Sequence, residues 1–217
     1  MRRMTVVVVT AEPSPACPPG VDPVEFRLAM AEDVYETATE VRLSGTALAC
    51  CGDAGFTARA AEFTWPDTPV FAVRAADPLR DACAVLTGSG VDQAVFLAAD
   101  APDLPPLLVG KLFRALGGAE AALCPARGGG LVALAVRLPL PGWLDPATLD
   151  HPDAVGELAA ARPDDRALAT APGWHRVRSP EDLAALDPGL EGWEATRALL
   201  APAAPAGRPH GRGSGGG

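Results

Sequence analysis

The feature that most constrains the fold is an alternation of short apolar runs with segments of helical periodicity. Residues 6–9 are an unbroken run of β-branched side chains, which is typical of a central parallel strand covered on both faces. Over residues 24–41, apolar side chains recur at helical spacing. Further strands are predicted at 46–51, 69–75, 92–100, 119–124, 131–138 and 174–179, and further helices at 57–63, 79–86, 105–116 and from Ser179 onward. The alternation predicts βαβ units and an α/β fold with a mostly parallel sheet.

The same pattern predicts one domain over residues 1–200. The segment 141–172 is rich in Pro, Ala and Asp and gives no readable periodicity. From residue 201 the sequence reads APAAPAGRPHGRGSGGG, a low-complexity composition that predicts a disordered tail over 201–217.

Composition argues against several classes of partner. The 217 residues carry a net charge of -9 and form no basic cluster, so we expect no nucleic-acid partner. No stretch approaches the ~20 apolar residues of a membrane helix, and the apolar run near the start is too short for a signal peptide. We therefore expect a cytoplasmic protein with no membrane partner. The five cysteines are odd in number and form no CxxC pair, so we expect buried small side chains rather than a disulfide framework or zinc site.

Asp100 ends the strand predicted at 92–100. Functional groups in parallel sheets gather at the carboxyl ends of strands, and a carboxylate there suits Mg²⁺ or Mn²⁺ together with phosphate oxygens. Asp103 follows three residues later and has two interpretations. It is either a second catalytic carboxylate or the N-cap of the helix that begins with Leu104-Pro105-Pro106.

Three motifs in a fixed order resemble a known family. They are VFLAADAPDLPP (95–106), PARGGGLVALAV (125–136) and VRSPEDLAAL (177–186). They are similar to the motifs GSDxPDL, PAxDGGYxLIG and DVDTPEDL of a bacterial glycosyltransferase family related to the cofactor guanylyltransferases. The resemblance covers roughly residues 4–190. It implies a three-layer α/β/α sandwich of the GT-A, nucleotide-diphospho-sugar transferase type, acting on a nucleotide or nucleotide sugar.

The resemblance also implies roles for particular residues. Asp100, with Asp103 as a second catalytic candidate, would hold Mg²⁺ or Mn²⁺ beneath the nucleotide diphosphate. Gly129 and Gly130 match the paired glycines of the second motif and would allow the backbone to approach the sugar or acceptor closely.

The amino-terminal loop of that family reads KAPxPGxVKTRL, and the matching segment here is AEPSPACPPGVDPVEFRL (11–28). Arg27 matches the arginine that ends the family motif. Thr10, Ala11 and Glu12, at the end of the first strand, would meet the nucleobase or ribose. A family lysine that would face phosphates is replaced here by Glu25.

The departures from the family pattern concern charge. The two acids of DVD are Arg176 and Arg178 here, and the acid before the paired glycines is Gly128. Because arginines near Asp100 repel a cation, these changes argue against the Mg²⁺ or Mn²⁺ that the family would bind.

Three functional alternatives therefore stay open. The protein is a metal-dependent nucleotidyl- or glycosyltransferase, or Arg178 pairs with Asp100 in place of a metal and the site binds phosphorylated ligands without one. In the third alternative Asp100–Arg178 is only a structural ion pair, and the protein is a non-catalytic relative that acts as a binding or scaffold subunit. A small-molecule binder of unrelated α/β fold would be recognised by a different strand order.

Overall fold

A computed structural model describes residues 1–145 and 148–201. Within these residues seven strands form one sheet in the order β3-β2-β1-β4-β6-β5-β7. The strands are β1 (Arg3–Thr10), β2 (Gly45–Cys51), β3 (Val70–Ala72), β4 (Gln93–Ala98), β5 (Ala121–Pro125), β6 (Leu131–Arg137) and β7 (Leu168–Thr170). Strands β3, β2, β1 and β4 run parallel, β6 is antiparallel to both β4 and β5, and β7 is parallel to β5.

The described residues also form six α-helices and one 3-10 helix. They are α1 (Pro23–Thr39), α2 (Ala54–Ala61), α3 (Pro78–Gly88), α4 (Pro106–Ala115), α5 (Ala154–Ala161), the 3-10 helix Pro180–Ala185 and α6 (Glu194–Leu200). Helix α1 begins where the Asp22 carboxylate accepts hydrogen bonds from two backbone N–H groups, with Pro23 in the first turn.

Helices cover both faces of the sheet. Because neighbouring residues of a strand point to opposite faces, Val7 and Val9 pack with α1, α2 and α4, whereas Val6 packs with α3 and α5. The outcome is a three-layer α/β/α sandwich with a mostly parallel sheet, and the predicted fold class is confirmed. Four of the five cysteines are buried in it, and Cys17 is half-buried.

Two local predictions are wrong. Residues 174–179 do not form a strand of the sheet, and the last strand is β7, from the segment without readable periodicity. They are held by single contacts instead, such as the isolated bridge between Trp174 and Ala126 and the hydrogen bond from Val177 N to Asp100 O at 2.7 Å. Asp103 is not a helix cap, because Pro105 occupies the N-cap position of α4 and no side chain caps that helix.

Nothing in the described residues forms a helix long and apolar enough to cross a membrane. The predicted disordered tail, 201–217, lies outside the described residues except for Ala201.

Candidate functional site

A cleft of about 460 Å³ lies at the carboxyl ends of β1, β2 and β4. Thr10, Cys51 and Asp100 line it, one from the end of each of these strands. The position agrees with the rule that parallel α/β sheets bind ligands beyond the carboxyl ends of their strands.

The Asp100 carboxylate is buried and holds a guanidinium group by both oxygens. Arg176 Nε donates to Oδ1 at 2.5 Å, and Arg176 Nη2 donates to Oδ2 at 3.0 Å. The remaining nitrogen, Nη1, donates to the carbonyl oxygens of Leu131 at 2.9 Å and Leu149 at 3.3 Å. Such a two-point contact fixes the plane of the guanidinium group as well as its position.

The predicted pairing of Arg178 with Asp100 is present only as a contact at 4.0 Å, and the close partner of Asp100 is Arg176. The hydrogen bond from Val177 N to Asp100 O brings Arg176 directly opposite the carboxylate. Arg178 lies further along, with Nε 4.0 Å from Asp100 Oδ2, and its Nη1 donates to Gly129 O at 3.0 Å. Arg27, on α1, has Nη1 at the same 4.0 Å distance from Oδ2.

A second carboxylate reaches the site from the segment that gives no readable periodicity. Asp150 Oδ1 lies 2.6 Å from Arg176 Nη2 and 3.2 Å from Arg178 Nη2. Its side chain is 64% exposed, whereas that of Asp100 is 6% exposed. Arg176 and Arg178 therefore share two carboxylates, those of Asp100 and Asp150.

The ionisation of these groups reflects burial and mutual attraction. Burial lowers the pKa of Arg27, and burial together with the neighbouring Arg176 lowers the pKa of Arg178. Burial also acts to lower the pKa of Arg176, but Asp100 and Asp150 outweigh it and raise that pKa. Burial acts to raise the pKa of the Asp150 carboxyl, yet the three arginines hold it below its usual value.

The residues at Asp100 do not fit a divalent metal ion. Both carboxylate oxygens are engaged by Arg176, and two more guanidinium groups stand 4.0 Å from Oδ2. A metal ion there would have to displace one cation and tolerate two others. In residues 1–145 and 148–201, no group of three or more His, Cys, Asp or Glu side chains is arranged to hold a metal ion.

The predicted amino-terminal contacts divide between the cleft and the interior. Thr10 and Glu12 line the cleft, whereas Ala11 does not and packs against the core instead. Arg27 also lines the cleft, and its Nε and Nη2 donate to the Glu12 carbonyl oxygen at 3.3 and 3.1 Å. Glu25 points elsewhere and pairs with Arg59 of α2 at 2.6 Å.

Gly129 and Gly130 do not line the cleft. Both have positive φ, 105° and 74°, which favours glycine. A Cβ atom at Gly130 would lie 2.8 Å from Leu149 O, and one at Gly129 would lie 3.1 Å from Pro152 O. The close approach that these glycines permit is thus to the backbone of the segment that carries Asp150 and, at Gly130, also to the Arg178 guanidinium, whose Nη2 would lie 3.1 Å from a Cβ atom.

Asp103 does not line the cleft either. Its buried carboxylate accepts hydrogen bonds from Trp174 Nε1 at 3.1 Å and interacts with His175 Nε2 at 2.9 Å. The Trp174 and His175 rings stack at a centroid distance of 4.9 Å. The sequence gives no local signal for this cluster, because Asp103 and the two rings come from distant parts of the chain.

Comparisons with known proteins bear on the fold. No protein-family model matches the sequence, and no curated protein matches it at a significant level. Among solved structures, a Desulfovibrio desulfuricans protein assigned as a nucleotide-diphospho-sugar transferase is 19% identical, with a TM-score of 0.65 over 92% of this chain and 97% of that chain. This chain has the nucleotide-diphospho-sugar transferase fold.

Two further matches with this fold were solved with bound species. The Mycobacterium tuberculosis protein Rv0371c, in complex with manganese, is 20% identical, with a TM-score of 0.55 over 92% of this chain and 97% of that chain. CMP:2-keto-3-deoxy-manno-octonic acid synthetase, in complex with CTP, is 14% identical, with a TM-score of 0.54 over 92% of this chain and 98% of that chain. At these identities the similarity establishes the fold alone.

Proposed function

We propose that the cleft binds the phosphates of a nucleotide or nucleotide sugar, and that the protein is a nucleotidyl- or glycosyltransferase in which arginines replace the divalent ion. The observation that carries this proposal is the two-point contact of Arg176 with Asp100. A guanidinium group stands where the resembling family has a metal ion on the strand-end aspartate. The fold and the position of the cleft support a nucleotide as the ligand.

The three arginines are suited to phosphates. A guanidinium group has five N–H donors in a planar fork that matches phosphate oxygens. Those of Arg176 are directed at Asp100, Asp150, Leu131 O and Leu149 O, so a phosphate binds Arg176 by taking the place of one of these acceptors. Arg27 and Arg178 each have a nitrogen 4.0 Å from Asp100 Oδ2, and Arg176 is held by its contacts with Asp100, Leu131 O and Leu149 O. Cations held rigidly in this way stabilise the negative charge that develops on a departing phosphate or diphosphate without having to reorganise.

A non-catalytic nucleotide-binding protein is the second candidate. It is favoured by the engagement of both Asp100 oxygens, which removes this carboxylate as a base or as a metal ligand. In that case the cleft would bind the same ligands, and the protein would act as a binding or scaffold subunit. Product formation from nucleotide sugars or from nucleoside triphosphates and sugar phosphates separates the two candidates.

Thermal unfolding with a panel of nucleotides and nucleotide sugars tests the proposal. Each compound is measured with Mn²⁺, with Mg²⁺ and with chelator. A ligand present at 100 times its dissociation constant adds about 2.7 kcal/mol of stability. We expect at least one compound to raise the unfolding temperature equally with metal and with chelator.

Two variants complete that experiment. Arg176→Ala is expected to abolish the ligand-induced shift, whereas Arg162→Ala, which removes an arginine paired with Asp165 away from the cleft, is expected to retain it. A shift that requires metal, or the lack of a shift with every compound, would contradict the proposal.

A further inference from the structure

The Asp150 carboxylate bridges two arginines of the cleft through one oxygen. Asp150 Oδ1 lies 2.6 Å from Arg176 Nη2 and 3.2 Å from Arg178 Nη2. A phosphate oxygen adopts the same arrangement when two guanidinium groups bind it. Thr148, Leu149 and Asp150 line the cleft, so this carboxylate stands inside the space that a ligand would enter.

The backbone around Asp150 is fixed, whereas its side chain is not enclosed. Leu149 O accepts a hydrogen bond from Leu131 N at 2.8 Å, and Pro152 O accepts one from Gly130 N at 3.1 Å. The side chain of Asp150 is 64% exposed. A rotation about its own side-chain bonds therefore suffices to move the carboxylate into solvent, with no movement of the segment.

Asp100 differs from Asp150 in each of these respects. Its side chain is 6% exposed, and both of its oxygens are engaged by Arg176. Breaking a buried pair is costly because it leaves a charge without water or a partner, whereas an exposed ion pair contributes little. Of the two carboxylates on Arg176, Asp150 is the one that a ligand can replace.

We propose that Asp150 occupies a phosphate position of the cleft and that a ligand carrying a diphosphate or triphosphate binds by displacing it from Arg176 and Arg178. This inference rests on the nucleotide binding proposed above and specifies its substrate class. The charged residues that line the cleft are three arginines (Arg27, Arg176, Arg178) and three acids (Glu12, Asp100, Asp150), so their charges balance, and the cleft becomes positive when Asp150 turns away. A ligand with several negative charges compensates for the lost carboxylate, and one with a single charge does not.

Calorimetric titration with inorganic pyrophosphate in chelator at low salt tests this inference. Asp150→Asn is expected to bind pyrophosphate about tenfold more tightly than the wild-type protein, because the ligand no longer competes with an internal carboxylate. Asp153→Asn is the matched control. It removes the same charge three residues away, from an exposed side chain that forms no cap hydrogen bond, and we expect a change of less than about twofold.

The outcomes separate this inference from the proposed function. If Asp150→Asn binds pyrophosphate no more tightly than the wild-type protein, or if Asp153→Asn gains as much, displacement of Asp150 is overturned while nucleotide binding stands. If neither the wild-type protein nor Asp150→Asn binds pyrophosphate or any nucleoside diphosphate, both proposals fail. A urea unfolding midpoint close to that of the wild-type protein establishes that each variant is folded.

Discussion

Asp100 and Asp103 lie three residues apart in one turn and are almost equally buried, yet their surroundings differ. The Asp100 carboxylate faces the cleft and is surrounded by guanidinium groups. The Asp103 carboxylate faces away from the cleft and is held by ring nitrogens of Trp174 and His175. Two acids that are close in sequence can therefore have different roles, one at the cleft and the other in holding the surrounding structure.

The two aspartates nevertheless contact the same segment, residues 174–179. His175 and Arg176 are adjacent in the chain, and their side chains contact different aspartates. His175 reaches Asp103, and Arg176 reaches Asp100. Asp103 thus contributes to the cleft indirectly, by holding the segment that presents Arg176.

The largest effect is expected from Asp100→Asn. This change leaves the buried Arg176 with the exposed Asp150 as its remaining close carboxylate, and removing one member of a buried ion pair costs about 3–5 kcal/mol. Urea unfolding at pH 7 measures the loss, with Asp153→Asn as the exposed control. A loss below about 1 kcal/mol would show that the Asp100–Arg176 contact is not a tightly coupled buried pair.

Asp33 is a third buried carboxylate, and its two oxygens accept hydrogen bonds from backbone N–H groups. It lies on α1 and accepts hydrogen bonds from Ala195 N and Thr196 N at the start of α6, both at 2.9 Å. Burial raises the pKa of Asp33 to about 6, against these hydrogen bonds, which lower it. Between about pH 4 and pH 6 the folded protein therefore keeps a proton on Asp33 that the unfolded chain releases.

The stabilisation from that proton is fully present below about pH 4 and is lost as the pH rises through about 6. We expect the difference in unfolding free energy between the wild-type protein and Asp33→Asn to fall by about 2–3 kcal/mol from pH 4 to pH 7. Urea unfolding of both proteins across this range provides the measurement. A difference that stays constant with pH would contradict the raised pKa.

Asp103→Asn is expected to lower the stability of the protein without weakening its nucleotide binding. The asparagine cannot accept from both rings as a carboxylate does, so we expect a loss of about 1–2 kcal/mol in unfolding free energy. Affinity for the nucleotide identified in the thermal panel should change less than about threefold, because Asp103 does not line the cleft. Loss of binding with unchanged stability would place Asp103 in the ligand site instead.

The smallest effect is expected from Glu25→Lys, which restores the lysine of the resembling family. Glu25 forms an exposed ion pair with Arg59 and does not line the cleft. We expect stability to change by about 0.5 kcal/mol and nucleotide affinity to stay within about twofold. A large gain in affinity would indicate that this position faces the phosphates after all.

Features that depend on local sequence pattern, such as strands and helices, can be predicted from the sequence. The alternation of strands and helices yields the fold, and the strand that ends near Asp100 places this residue at the cleft together with Thr10, Glu12 and Arg27. Contacts between segments that are far apart in the chain cannot be predicted from such local patterns. Asp150 comes from a stretch with no periodicity, and His175 contacts Asp103 across 72 residues of sequence. Residues 174–179 resemble a strand in sequence, yet the adjacent Trp174 and His175 both contact Asp103, and Trp174 makes an isolated bridge to Ala126.

The central claim is that the Arg176 guanidinium is the cation at Asp100, and one titration tests it most directly. The dissociation constant of the nucleotide identified in the thermal panel is measured by calorimetry in chelator and in Mn²⁺, for the wild-type protein and for Arg176→Ala. We predict that the wild-type constant is equal within about twofold in the two buffers, and that Arg176→Ala weakens binding at least about tenfold in both. Binding that requires Mn²⁺, or that survives Arg176→Ala unchanged, would contradict the account.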